Sequence, residues 1–232
     1  MPGIAADLEQ QGFCVVPDIA GAPTIAALKM VFEQAAFARA ERDGQTYGAR
    51  NLLGLAEVRA AVTLPTVAAC LLPILQEGFS AVRGIFFDKT AGANWPVLWH
   101  QDMSLALRER RELPGWNNWS VKRGVIHVQP PPEILARMIT MRLHLDDCPT
   151  ENGALRVIAG SHRSGLLART QIQAMTTGSA QTVTAKMGDA VLMRPLLLHA
   201  SSAAKTPHHR RVLHLEFAPA GLLPPGLAWA EA

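Results

Sequence analysis

From Phe79 onward the chain is a succession of short apolar–polar runs, each cut off by Gly, Pro or Asn. This feature constrains the fold most. Successive strand residues point to opposite faces, so runs of this length and period predict strands rather than helices. Eight are read, over 81–87, 97–102, 124–128, 139–146, 154–158, 182–186, 190–193 and 211–217. The first third is different. Ile25, Leu28, Phe32, Ala35 and Ala36 recur at helical spacing and predict a helix over 22–39. Shorter helices are expected over 4–11, 57–62 and 66–75, with a strand over 13–16. Eight short strands after a helical start imply a β-sandwich or barrel with helices packed on one sheet.

A chain of 232 residues suggests one domain. We read residues 1–78 as helical support and 79–219 as the β core. A chain this long buries roughly 70% of its unfolded surface, so no disulfide or zinc is needed to hold it. Cys14, Cys70 and Cys148 are widely spaced and show no metal-knuckle pattern, which points to a reducing, cytoplasmic setting. The uncharged stretch 60–75 is broken by Pro65 and Pro73 and is too short to span a bilayer. Lys plus Arg is 22 against 19 Asp plus Glu, without a basic run. Neither a nucleic-acid nor a membrane partner is expected, whereas small anions remain attractive ligands. Two stretches do not read as scaffold: 108–120, with three arginines, Trp116 and Trp119, and the Pro130–Pro132 triplet. Together they suggest a lid over 108–137, because long loops on β-scaffolds carry recognition.

The chemistry begins at Trp99-His100-Gln101-Asp102. On a strand, residues i and i+2 share a face, so His100 and Asp102 can aim an imidazole and a carboxylate at one point. One further histidine would complete the two-His, one-carboxylate set that suits non-haem Fe(II). Alone, His-x-Asp is weak and reads first as an exposed polar pair at a strand end. His199 ends an apolar run, either as a core histidine or as a ligand, and Arg210 follows at +11. The ordered set is far more specific than its parts.

Here the sequence resembles the phytanoyl-CoA dioxygenase-like family of Fe(II)/2-oxoglutarate oxygenases. The resemblance runs from about Phe13 to Ala218. It rests on Gly12-Phe13-Cys14-Val15-Val16-Pro17-Asp18, on the His-x-Asp segment, and on the 145–162 stretch from Leu145-Asp146-Asp147 to Gly160-Ser161-His162. It closes with Gly188-Asp189, His199-Ala200-Ser201-Ser202 and Arg210-Arg211. It implies a double-stranded β-helix, a cupin-like jelly roll whose larger sheet is backed by helices. It also implies His100, Asp102 and His199 as iron ligands, and Arg210 as partner of the distal 2-oxoglutarate carboxylate. Arg211, on the other face of the same strand, is the rival by periodicity. Lys89 falls where some members place a lysine on 2-oxoglutarate; the alternative is a solvated strand end.

The implied activity is hydroxylation of a small molecule with Fe(II), 2-oxoglutarate and O2, releasing succinate and CO2. A metal-dependent cupin-like enzyme without 2-oxoglutarate, or a non-catalytic β-sandwich binding module, would not need Arg210. Halogenases of this broad fold have a small residue at the position of Asp102, so a carboxylate there disfavours halogenation. Arg142 departs from the family's usual aromatic residue and shares a strand face with His144. A buried Arg is costly without a partner, so it suggests an anionic or polar substrate, or else a structural ion pair with an acid such as Glu216. Trp116 and Trp119 would wall the substrate pocket or anchor the loop. The substrate and the oligomeric state are not readable.

Overall fold

The computed structural model describes residues 3–34, 39–42, 45–76, 78–178 and 180–231. Helix α1 (Ile4–Gln10) leads into β1 (Phe13–Val16), followed by α2 (Ala22–Gln34), β2 (Arg39–Arg42), β3 (Gln45–Arg50), α3 (Ala56–Val62) and α4 (Pro65–Leu75). Next come β4 (Phe79–Lys89), β5 (Val97–His100), β6 (Leu105–Leu107), β7 (Asn117–Lys122), β8 (Val125–Gln129), α5 (Pro132–Ala136) and β9 (Ile139–His144). The chain continues through β10 (Leu155–Val157), α6 (Arg169–Thr176), β11 (Gln181–Val183), β12 (Ala190–Met193), β13 (His199–Ser201) and β14 (Arg210–Pro219).

A seven-stranded sheet, ordered β1-β12-β9-β14-β4-β3-β2, faces a four-stranded sheet, β11-β10-β13-β5. A third sheet, β6-β8-β7, pairs with neither. All strand pairs are antiparallel and the sheets do not close into a barrel. The architecture is the mainly β, helix-backed jelly roll expected from the sequence.

The larger sheet has two different buried faces. On its outer face Met141, Leu143, Leu192, Leu213, Leu215 and Phe217 meet Leu8, Ile25, Leu28, Phe32, Val67 and Leu71 of the helices. Phe32 stacks on Phe86 with ring centroids 4.3 Å apart. Residues of opposite parity, among them Arg142, Arg210, His214 and Glu216, therefore face inward. A bulge between Glu216 and Phe217 lets β14 and β4 continue while Val82 and Ala218 turn inward beneath the third sheet. No single helix among the described residues is long and apolar enough to cross a membrane.

Several elements differ from the sequence reading. The helix read over 22–39 ends at Gln34; 35–38 lie outside the described residues, and Arg39 already belongs to β2. Strands β2, β3, β6, β7 and β13 were not anticipated. For β2 and β3 the signal was Asp43-Gly44, a hairpin dipeptide between two short runs. The strand read over 97–102 stops at His100, because the Asp102 N–H leaves the ladder to bond the Pro195 carbonyl at 2.9 Å. The expected lid segment carries β7, β8 and α5, with β7 and β8 in the third sheet.

Candidate active site

The sheets enclose a cavity of about 510 Å³. His100 and His199 stand directly opposite each other on β5 and β13, so their side chains share one face. Their ring centroids are 4.2 Å apart. Each ring turns Nδ1 back to a main-chain carbonyl, that of Leu98 at 2.8 Å and that of Leu197 at 2.9 Å. A carbonyl only accepts, so Nδ1 carries the proton and the Nε2 lone pair is left for the cavity. Metal-binding imidazoles are oriented in this way. The Asp102 carboxylate lies 3.7 Å from His100 Nε2 and 3.8 Å from His199 Nε2. The three ligand atoms lie within 4.8 Å of one another, and the buried Asp102 Oδ2 has no hydrogen-bond partner. Among the described residues this is the one His/Cys/Asp/Glu group so arranged.

The charges suit a cation. Desolvation pushes the Asp102 carboxyl up, but His199, His214, His100 and Arg142 outweigh it and hold it at about 2. Burial pushes His199 down to about 4 against the pull of Asp102, so its ring is neutral at neutral pH. Two imidazoles that turn Nε2 to the cavity and one carboxylate, open on the cavity side, fit iron(II).

Arg210 and Arg211 point opposite ways. Arg210 lines the cavity, is 3% exposed, donates through Nη1 to the Gly153 carbonyl, and leaves its buried Nε without a partner. Gly153 adopts φ +67°, and a Cβ there would sit 2.7 Å from the Ser202 carbonyl. Glycine is what lets this loop approach. Arg211 turns to the helices, where Nε and Nη2 each donate to Asp146 at 2.9 Å and Nη1 donates to Glu33 at 2.9 Å.

Lys89, opposite Arg210 on β4, is fully buried. It is not a solvated strand end. Its Nζ donates to Ser201 Oγ and the Ser202 carbonyl, both at 2.9 Å, so Ser201 forms the cavity wall and Lys89 stands behind it. Burial, then Arg210 and Arg142, pull its amine down to about 7.

Arg142 reaches the cavity and donates to His214 Nδ1 at 3.1 Å, while its Nε has no partner. Burial and then Arg210 lower it to about 10, still a cation at neutral pH. The structural pair with Glu216 does not form, because Glu216 bonds Arg83 at 3.0 Å. His144 does not reach the cavity wall. Neither of its nitrogens has a partner, and burial, then Arg142 and Arg210, press it to about 3. Of the two roles open to Trp116, pocket wall or loop anchor, the structure takes the anchor. Trp116 is buried with Leu105, Val128 and Leu135 beneath the third sheet, and Trp119 packs against the same cluster. The larger apolar surface available there outweighs a place on a polar wall.

Sequence reasoning missed Ser201, Trp95 and Arg83 on the cavity wall. Ser201 had a signal, since it lies two residues from His199 on one strand. His214 and Glu216 share the parity of Arg210.

Many solved structures share this fold. One is HygX from Streptomyces hygroscopicus with nickel and 2-oxoglutarate bound, at TM-score 0.66 and 16% identity over 95% of this chain and 88% of that one. The second is the non-heme alpha ketoglutarate dependent epimerase SnoN from nogalamycin biosynthesis, at 0.67 and 17% over 94% and 80%. The third is EctD from S. alaskensis with bound Fe, at 0.70 and 17% over 94% and 76%. No curated protein matches the sequence. The family model for phytanoyl-CoA dioxygenase (PhyH) matches residues 8–212, and the chain belongs to that family.

Proposed function

We propose that this protein is an Fe(II)- and 2-oxoglutarate-dependent dioxygenase that hydroxylates a small molecule, releasing succinate and CO2. The carrying observation is that His100, Asp102 and His199 present free ligand atoms to the same cavity that receives Arg210. When bound, iron and 2-oxoglutarate activate O2 for attack on an unreactive C–H bond.

The chain's own residues do the rest. His100 and His199, fixed by their Nδ1 hydrogen bonds, present Nε2 without rotating, and Asp102 adds the anionic ligand. Arg210 receives the distal carboxylate of 2-oxoglutarate as a charge-assisted pair, with Ser201 Oγ beside it on the wall. Lys89 adds positive potential from behind Ser201. Arg142 is left to orient the primary substrate.

HygX and EctD bind 2-oxoglutarate or iron in the same fold, which supports the cofactor assignment. A cupin-like enzyme without 2-oxoglutarate, or a binding module, would have no use for a buried arginine on this wall. SnoN is an epimerase, so stereochemical inversion is the competing outcome within the class. Anaerobic addition of Fe(II) and 2-oxoglutarate should give a weak visible charge-transfer band, and its absence overturns the reading. Succinate release across a metabolite library then identifies the substrate. A product heavier by one oxygen atom establishes hydroxylation, and a product of unchanged mass establishes epimerisation.

A further inference from the structure

The cavity has a second basic region away from Arg210. Along the inner face of β14, Arg210 and Glu216 are six residues apart, roughly 20 Å of strand. His214, between them, lines the same cavity as His100, Asp102 and His199. At the Glu216 end the same cavity is lined by Arg83, Arg50 and Lys122. Register explains each. Arg83 lies opposite Glu216. Arg50 lies opposite Ile85, an inward position, whereas its neighbour Ala49 faces the helices. Lys122 shares its face of β7 with Ser120 and Asn118, which also line the cavity.

These cations are not matched by anions. Arg83 is held by Glu216 at 3.0 Å and His127 Nε2 at 3.1 Å. Among the described residues, Arg50 and Lys122 make no side-chain hydrogen bond or ion pair. Burial, then Arg83 and Arg123, lower Arg50; burial, then Arg83 and Arg50, lower Lys122. The other nearby acid, Glu231, accepts from the main-chain N–H groups of Gly84 and Leu53 at 3.1 and 3.2 Å. Three cations, with Lys122 at the exposed rim, face Glu216 on the wall and Glu231 behind it, so positive charge is in excess at this end. A phosphate monoester carries about −1.5 to −2 at neutral pH and three acceptor oxygens, enough to meet more than one cation. Its oxygens suit both the arginine fork and the lysine point charge.

We propose that Arg50, Lys122 and Arg83 form an anion subsite for a phosphate monoester. The primary substrate is then a small, polar, phosphorylated molecule lying along Asn118 and Ser120 with its reacting carbon at the metal face. The choice of substrate rests on the oxygenase reading; the phosphate subsite does not.

The test is isothermal titration of the full chain with a panel of sugar and nucleoside phosphate monoesters, each paired with its dephosphorylated counterpart. Titrations are run with and without Mn(II) and 2-oxoglutarate. At least one phosphorylated member should bind on the order of ten- to a hundred-fold more tightly than its partner. The double variant Arg50→Gln/Lys122→Gln should lose that preference, and Arg50→Lys/Lys122→Arg, which keeps both charges, should retain much of it. A melting curve of each variant establishes that it is folded. If no phosphorylated compound outbinds its counterpart, or if the preference survives in the folded double variant, the subsite is overturned. A preference that persists without Mn(II), in a protein that gives no Fe(II)/2-oxoglutarate band, would overturn the oxygenase reading and leave the subsite standing.

Discussion

Changing Arg210 to Leu removes a guanidinium that meets the Gly153 carbonyl, the Cys148 thiol and the cavity. Loss of one charge-assisted contact costs about 1.5–3 kcal/mol, so the Michaelis constant for 2-oxoglutarate should rise roughly ten- to a hundred-fold. Steady-state kinetics against 2-oxoglutarate check this. Arg211→Leu should act on stability instead, by about 2 kcal/mol, because it takes two side-chain hydrogen bonds from Asp146 and leaves it Lys29, at 2.8 Å, and the main-chain N–H of residue 211, at 3.0 Å. Desolvation raises the Asp146 carboxyl, but Arg211 and Lys29 outweigh it and hold it at about 2. The stability linked to this depressed carboxyl is present above about 4 and is lost as pH falls towards 2. Acid titration of wild type against Arg211→Leu should show a smaller loss in the variant. Lys89 behaves in the opposite sense. The unfolded chain holds the lysine proton up to about 10.5 and the folded chain releases it at about 7, so its contribution to stability rises with pH between those values. Denaturant melts of wild type and Lys89→Met should diverge over that window, with the rise missing from the variant. Arg210 against Arg211 was legible only because the helices give the larger sheet a second apolar face; periodicity alone favours Arg211 inward. Burial of Lys89 behind Ser201 was not legible, since nothing local distinguishes it from a solvated strand end.

The strand pair β5 and β13 carries the two imidazoles, and a side chain that escapes the ladder carries the carboxylate. His100→Ala should therefore remove metal affinity while leaving cooperative unfolding, because its side chain is 38% exposed and supports little packing. Iron titration with a parallel thermal melt tests both halves. Trp116→Ala should do the reverse. The side chain is 6% exposed in the cluster beneath the third sheet, and a Trp-to-Ala truncation in such a site costs about 3–5 kcal/mol. Chemical denaturation measures it; a variant as stable as wild type would contradict this packing. Long elements such as β9 and β14 were legible because each keeps its period. The three-residue strands β6 and β13 were not, since so few residues carry no period of their own and are held by their partners. The choice for Trp116 stayed open for a related reason: an aromatic in a Gly- and Asn-rich segment is equally suited to a pocket or to a small core, and only the tertiary neighbours decide.

At the scale of the whole molecule, the metal set joins β5 to β13, while Arg210 belongs to the opposite sheet. Iron and 2-oxoglutarate together would tie the two layers. Saturation at a hundred times the dissociation constant should add about 2.7 kcal/mol. That is a rise in melting temperature of about 2–4 °C per kcal/mol for a chain of this size. Differential scanning calorimetry with and without a chelator measures it, and an unchanged midpoint would argue against a site spanning the layers. The independence of the third sheet has a different consequence. Strands β6, β8 and β7 exchange no ladder hydrogen bonds with the sheets that hold the metal ligands and Arg210, yet β7 supplies Asn118, Ser120 and Lys122 to the cavity. Sequence change in that hairpin can alter what the pocket accepts while leaving His100, Asp102, His199 and Arg210 in place. It is a replaceable cassette, open to drift in evolution and to grafting in the laboratory.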